Sequence, residues 1–257
     1  MPPALFVSHG SPNLIGEDTP GREFLAGLGD SLGRPDAIVV ASAHWETAVP
    51  EFTASAQPET IHDFYGFPEA LYRLRYPAPG NPGLATRAVE LLEGAGIPAA
   101  TDARRGFDHG AWSPLLLMYP KADIPVVELS VQPGRSPAHH IAVGRALAPL
   151  REQNILVMGS GGAVHNLRAL EWGRPGDPVA WARDFDEWLD RRLGDGHDEA
   201  LAAYRREAPG AVLAHPRDEH LLPVFVAYGA GGPKSRGRRI HNSFTYGSLS
   251  MAAFVFQ

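Results

Sequence analysis

Cysteine is absent from all 257 residues. That single absence excludes disulfides, thiolate zinc sites, iron–sulfur clusters and thiol nucleophiles. Long apolar runs are missing as well, none approaching the ~18 residues a membrane span needs. The opening MPPALFVSHGSP has no basic stretch, and its apolar run covers only Ala4 to Val7, so it does not read as a signal peptide and a cytoplasmic address is expected. Positive charge is in deficit, with 23 Lys plus Arg against 29 Asp plus Glu, a formal net charge of −6. With no basic tract and no interleaving of aromatic and basic residues, neither nucleic acid nor a membrane is expected as a partner. No composition shift and no internal repeat divides the chain, so residues 1–257 are expected to form one domain. A chain of this length buries roughly 70 to 75% of its unfolded surface. The residue present in excess is histidine, with 11 copies. Metal or acid/base chemistry must therefore be built from His, Asp, Glu, Tyr and Ser.

Short apolar runs at Ala4 to Val7, Ala37 to Ala41, Val126 to Val131 and Ile155 to Met158 read as buried strands. Between them lie helical patterns at Pro82 to Ala95, Ser136 to Gln153 and Asp177 to Leu193, the second opened by Ser136 as N-cap with Pro137 after it. Alternation of strand and helix predicts an α/β fold, a single domain with a mostly parallel central sheet flanked by helices on both faces. The final SFTYGSLSMAAFVF predicts one or two strands broken at Gly247, placed at an antiparallel edge.

The histidines fall in informative places. His9, His44 and His165 each follow a candidate strand, and in a parallel sheet the C-terminal strand ends share one edge, where ligand crevices form. A lone histidine is usually only a satisfied or solvated side chain; three in equivalent places point to a site. Converging imidazoles without cysteine suit iron or zinc. A fourth ligand candidate lies in RDEHLLP, where either Glu219 or His220 completes a metal set. His109, in GFDHGAW, is expected on a loop before a helix that begins near Trp112, with Asp108 beside it to orient the ring. Other chemistries lack their motifs. GSGG at 159–162 puts Val164 where a dinucleotide fingerprint needs its third glycine, and Met158 stands where a nucleophile elbow needs its first. No phosphate-binding loop occurs, and HPRDEH does not match a zinc-peptidase helix.

Taken in order, SHGSP, SAHWET, HDFYGFPEALY, RYPAPG, FDHGAW, GSGGAVHNL and DEHLLP resemble the class III extradiol ring-cleavage dioxygenases, most closely the 4,5-DOPA extradiol branch, over nearly the whole chain. The resemblance implies one mononuclear divalent metal, Fe(II) for catalysis with Zn(II) possible as the bound ion, held by His9, His44 and the DEHLLP segment, where His220 is preferred to Glu219. It implies His165 as acid/base or additional metal ligand, and His109 as a substrate-side hydrogen-bonding group. The implied partners are a small catechol such as DOPA and O2, giving a ring-opened semialdehyde. His62, Tyr65 and Tyr72 are candidates to contact the substrate's polar side chain, and Tyr246 and His241 to line the pocket. Two further readings stay open at this point, a zinc-dependent hydrolase and a non-catalytic metal-binding protein on the same scaffold.

Overall fold

The strands that the apolar runs announce become the middle of the sheet. A computed structural model describes residues 1–171 and 177–257. In chain order, β1 (Ala4–Ser8), α1 (Pro20–Leu32), β2 (Ala37–Glu46) and β3 (Glu51–Thr53) lead into α2 (Glu69–Tyr72), α3 (Pro82–Gly94), β4 (Ala100–Asp102) and α4 (His109–Met118). Next come β5 (Val126–Val131), α5 (Pro137–Leu147), β6 (Ile155–Gly161) and α6 (Ala180–Asp195). The chain ends with α7 (Asp198–Ala202), α8 (Tyr204–Glu207), α9 (Ala211–Ala214), α10 (Leu222–Ala230), β7 (Gly237–His241), β8 (Phe244–Thr245), β9 (Leu249–Ser250) and β10 (Ala253–Phe256).

Eight strands form one sheet in the order β4-β3-β5-β2-β6-β1-β10-β7, with β8 and β9 as a separate small hairpin. The pairs β5–β2, β2–β6 and β6–β1 are parallel. Side chains alternate across the sheet, so β2 sends Val39 and Ala41 into one apolar layer and Ile38 and Val40 into the other. The first layer packs against α3, α5, α6 and α10; the second packs against α1 and α4. Helices thus cover both faces of a mostly parallel sheet, as expected. No helix among the described residues is long and apolar enough to cross a membrane.

Three details differ from expectation. The C-terminal β10 is not an edge: it sits antiparallel between β1 and β7, and β7 is the edge strand. The helix expected over Ser136 to Gln153 ends at Leu147 and continues as a 3-10 turn, Ala148–Gln153, because Pro149 can neither donate to the preceding turn nor fit beneath it. The helix expected from Asp177 begins at Ala180.

Candidate metal centre and its cavity

β1, β2 and β6 run parallel, so their C-terminal ends share one edge, and the histidines gather there. His9 is the residue after β1, whereas β2 extends beyond the apolar run and carries His44 within it. Gly161, the last residue of β6, brings in the third imidazole by being small. A Cβ there would overlap the carbonyl oxygen of His220, so only glycine lets the 218–221 segment lie flat against the strand end. His220 O then accepts from Gly162 N at 2.8 Å, and Gly161 O accepts from His9 N at 3.0 Å. The glycine-rich turn thus serves to seat His220.

His9, His44 and His220 converge, with one ring nitrogen from each lying within 4.8 Å of the others. The Nε2 atoms of His9 and His44 are 3.1 Å apart. Two imidazoles sharing one ion at ~2.1 Å hold their nitrogens roughly 3.0 to 3.4 Å apart, so the pair already has the spacing of adjacent ligands. The opposite ring nitrogens are each committed to an acceptor. Ser160 Oγ donates to Gly110 O, which leaves its lone pair for His9 Nδ1–H at 3.0 Å. His44 Nδ1–H points to Asp63 Oδ2 at 3.2 Å, and His220 Nδ1–H to Glu219 Oε1 at 3.0 Å. These contacts fix three tautomers with bare Nε2 atoms, the form in which imidazole binds a cation. Burial, reinforced by the neighbouring histidines, pushes His9 and His220 well below the usual histidine pKa. Burial and His109 bring His44 down to about 4. All three are neutral at pH 7. Three bare nitrogens with their outer protons anchored fit a divalent transition metal.

The geometry separates Glu219 from His220. Glu219 spends Oε1 on His220 and has Oε2 3.3 Å from Arg217 Nε, so it orients the imidazole. His165 lies beside this set, its ring parallel to that of His220 with centroids 3.5 Å apart. It shares a cluster of possible ligand atoms with Glu219 and His220, while His9 and His44 belong to a different cluster. No side chain or backbone group among the described residues hydrogen-bonds the His165 ring. Burial, followed by the charge effect of His215, lowers its pKa to about 3.

His109 is not on a loop. It is the first residue of α4, because Asp108 caps the helix by accepting from Ala111 N, and the same carboxylate oxygen accepts from Ser42 Oγ at 2.6 Å. His109 Nδ1–H donates to Asp63 Oδ2 at 2.9 Å, and His109 N donates to Asp63 Oδ1 at 2.9 Å. Asp63 therefore orients two imidazoles, one in the convergent set and one beside it. Burial opposes ionisation of this carboxylate, but the hydrogen bonds from His109 outweigh it and hold the pKa at about 2. Asp63 is the main residue that sequence reasoning missed. Its signal was a carboxylate inside HDFYGFP, masked by its more conspicuous neighbours.

Those neighbours lie elsewhere. Tyr65 is 92% exposed, and His62 turns its Nε2 toward Leu74 O at 3.1 Å. Tyr72 accepts from Phe67 N, and His241 stacks on Phe24. Tyr246 does reach the pocket, from the β8–β9 turn, with φ at 51°, a strained value for a bulky residue, and its hydroxyl bonded to Glu17 at 2.7 Å. The five histidines 9, 44, 109, 165 and 220 open into one cavity of about 370 Å³. Its walls are largely apolar, with Phe64, Phe67, Leu167, Leu170 and Leu249 facing the imidazoles. Phe64 and Phe67 went unnoticed in the sequence because an aromatic in a loop carries no periodic signal.

A family model described as the catalytic LigB subunit of aromatic ring-opening dioxygenase matches residues 4–257. The chain belongs to this family. It is an aromatic ring-opening dioxygenase of the extradiol class, a metal-dependent enzyme. Among its relatives is a protein of Beta vulgaris named 4,5-DOPA dioxygenase extradiol, 45% identical, the match covering 98% of this chain and 95% of that one. A protein of the same name from Escherichia coli K12 is 44% identical over 97% of this chain and 92% of its own length. A crystal structure of an uncharacterized protein from Escherichia coli K12 superposes on this LigB-family chain with a TM-score of 0.84 at 39% identity, covering 99% of each.

Proposed function

We propose that this dioxygenase opens the ring of catechols bearing a short polar tail, DOPA being the type, with a single divalent ion held by His9, His44 and His220. The observation that carries the reading is the convergence of one ring nitrogen each from His9, His44 and His220 on a largely apolar cavity. Bound there, a redox-active ion supplies the electron exchange between an aromatic ring and O2 that side chains cannot. Fe(II) meets that requirement, whereas Zn(II) fits the same imidazoles without it.

The chain's own residues do the rest. Phe64 and Phe67 offer flat faces to a six-membered ring, and the leucines around them keep water from the reacting atoms. His165, neutral and with no hydrogen-bond partner for its ring among the described residues, accepts the proton of the second catechol hydroxyl. His109, its Nδ1 proton tied to Asp63, presents Nε2 to the substrate side and fixes the ring's orientation. The largely apolar walls suit an aromatic ring better than the polar substrate of a hydrolase. The test is O2 uptake by protein loaded anaerobically with Fe(II), across a catechol panel, with product spectra. A yellow semialdehyde formed with stoichiometric O2 consumption is expected. Intradiol products, or no O2 consumption with any catechol, would overturn the proposal.

A further inference from the structure

Among the described residues, the lining of the 370 Å³ cavity contains no Lys, Arg, Asp or Glu. A catechol with an ionised tail therefore finds room for its ring there but no opposite charge for its tail. A second cavity of about 340 Å³ adjoins the first, sharing His165 and Leu167, and its lining adds Arg168, Arg217 and Glu219. Leu167, 60% exposed, stands between the two as an apolar sill.

The two arginines are not equivalent. Arg217 is already matched: its Nη2 lies 2.7 Å from both oxygens of Glu46, and its Nε lies 3.3 Å from Glu219. Arg168 has no carboxylate partner among the described residues, although its backbone is firmly held. Asn166 donates to Leu213 O at 2.7 Å and accepts from Arg168 N at 3.0 Å, and Ala169 O accepts from Ser248 Oγ at 3.1 Å. A guanidinium with no carboxylate partner among the described residues, carried on a backbone-pinned 3-10 turn three residues past His165, is available to a planar anion.

We infer that Arg168 is the specificity residue for a substrate carboxylate: the catechol ring occupies the inner cavity, and a carboxylate on its tail passes over Leu167 to the Arg168 guanidinium. The inference rests on the catechol reading above and narrows it from catechols in general to catechol acids. It predicts that catechol amines without a carboxylate are poorer ligands, and that the preference weakens as salt screens the exposed pair.

Anaerobic calorimetry on the metal-loaded protein tests it, with three probes: DOPA, dopamine and 4-methylcatechol. Replacement of Arg168 by Gln is expected to raise the Kd for DOPA about tenfold while leaving the other two within about twofold, and Arg168→Lys should recover part of the loss. Equal weakening of all three would make the residue merely structural, and an unchanged Kd for DOPA would place the carboxylate elsewhere. Either result overturns the inference. Turnover is read separately, so a wild-type protein that binds these probes but consumes no O2 would count against the catechol-cleavage reading and leave the Arg168 comparison standing on its own.

Discussion

At the scale of single residues the site is a set of imidazoles, four of which have their Nδ1 atoms hydrogen-bonded to specific acceptors, and Asp63 is the acceptor shared by His44 and His109. Asn at this position keeps the size but replaces one acceptor oxygen with a donor and removes the charge, so it cannot accept both from the two imidazoles, which share Oδ2, and from the His109 backbone N–H, which uses Oδ1. Asp63→Asn is therefore expected to weaken metal affinity roughly 10-fold to 100-fold and to lower kcat, measured by competition with a chelator and by O2 uptake. Replacement of His165 by Gln should keep the metal while kcat falls roughly 100-fold to 10,000-fold, because it removes a proton acceptor that lies outside the convergent set. Metal loss in that variant would instead make His165 a ligand. The five site histidines were legible because each stood next to a feature with its own signal: a strand end, a glycine turn, a helix start. In HDFYGFP nothing in the sequence said which side chain turns inward. The choice of Asp63 over His62 and Tyr65 is made by the path of the 59–76 segment, whose backbone pairs with residues far along the chain.

Elements carry those residues, and here the apolar runs told most of the story. The central strands are buried on both faces and so read as continuous apolar stretches, which is why β1, β2, β5 and β6 were visible in the sequence. β3 and β4, with three residues each, are too short to show a period. The lateral placement of β10 depends on which strand it meets after the chain has turned through β7, and no local signal encodes that. The start of α4 at His109 was recoverable in principle from Asp108, a good N-cap, but the burial of the whole segment hid the boundary. The close approach of the 218–221 segment to β6 gives a prediction at this scale. Gly161→Ala, placing a methyl against His220 O, is expected to leave the far-UV circular dichroism unchanged while the metal content of the purified protein falls well below one per chain. Full metal content in that variant would show that the strand end tolerates a side chain.

Across the whole molecule, buried histidines link stability to pH. His140 and His215 lie away from the metal set, and burial lowers each to about 4. Unfolding releases them to an ordinary value near 6.5, so between pH 6.5 and 4 the unfolded chain binds more protons than the folded one, and stability falls as pH drops through that window. Each contributes on the order of 1 kcal/mol per pH unit there. Urea midpoints should therefore decline from pH 7 to pH 5, and His215→Gln, which can still donate to Ala163 O, should decline less steeply. An identical slope in that variant would remove His215 from the account. The same burial keeps the convergent imidazoles neutral, and the central claim is that three of them hold one ion. Among the described residues, three clusters have ligand atoms close enough for a metal: His9 with His44 and His220, His44 with Asp63 and His109, and His165 with Glu219 and His220. Anomalous diffraction at the iron edge, from crystals loaded anaerobically with Fe(II), distinguishes them directly. A single peak within bonding distance of Nε2 of His9, His44 and His220, with Asp63 and Glu219 outside, is the predicted result; a peak centred on Asp63 or Glu219, or one that omits His9, would contradict it.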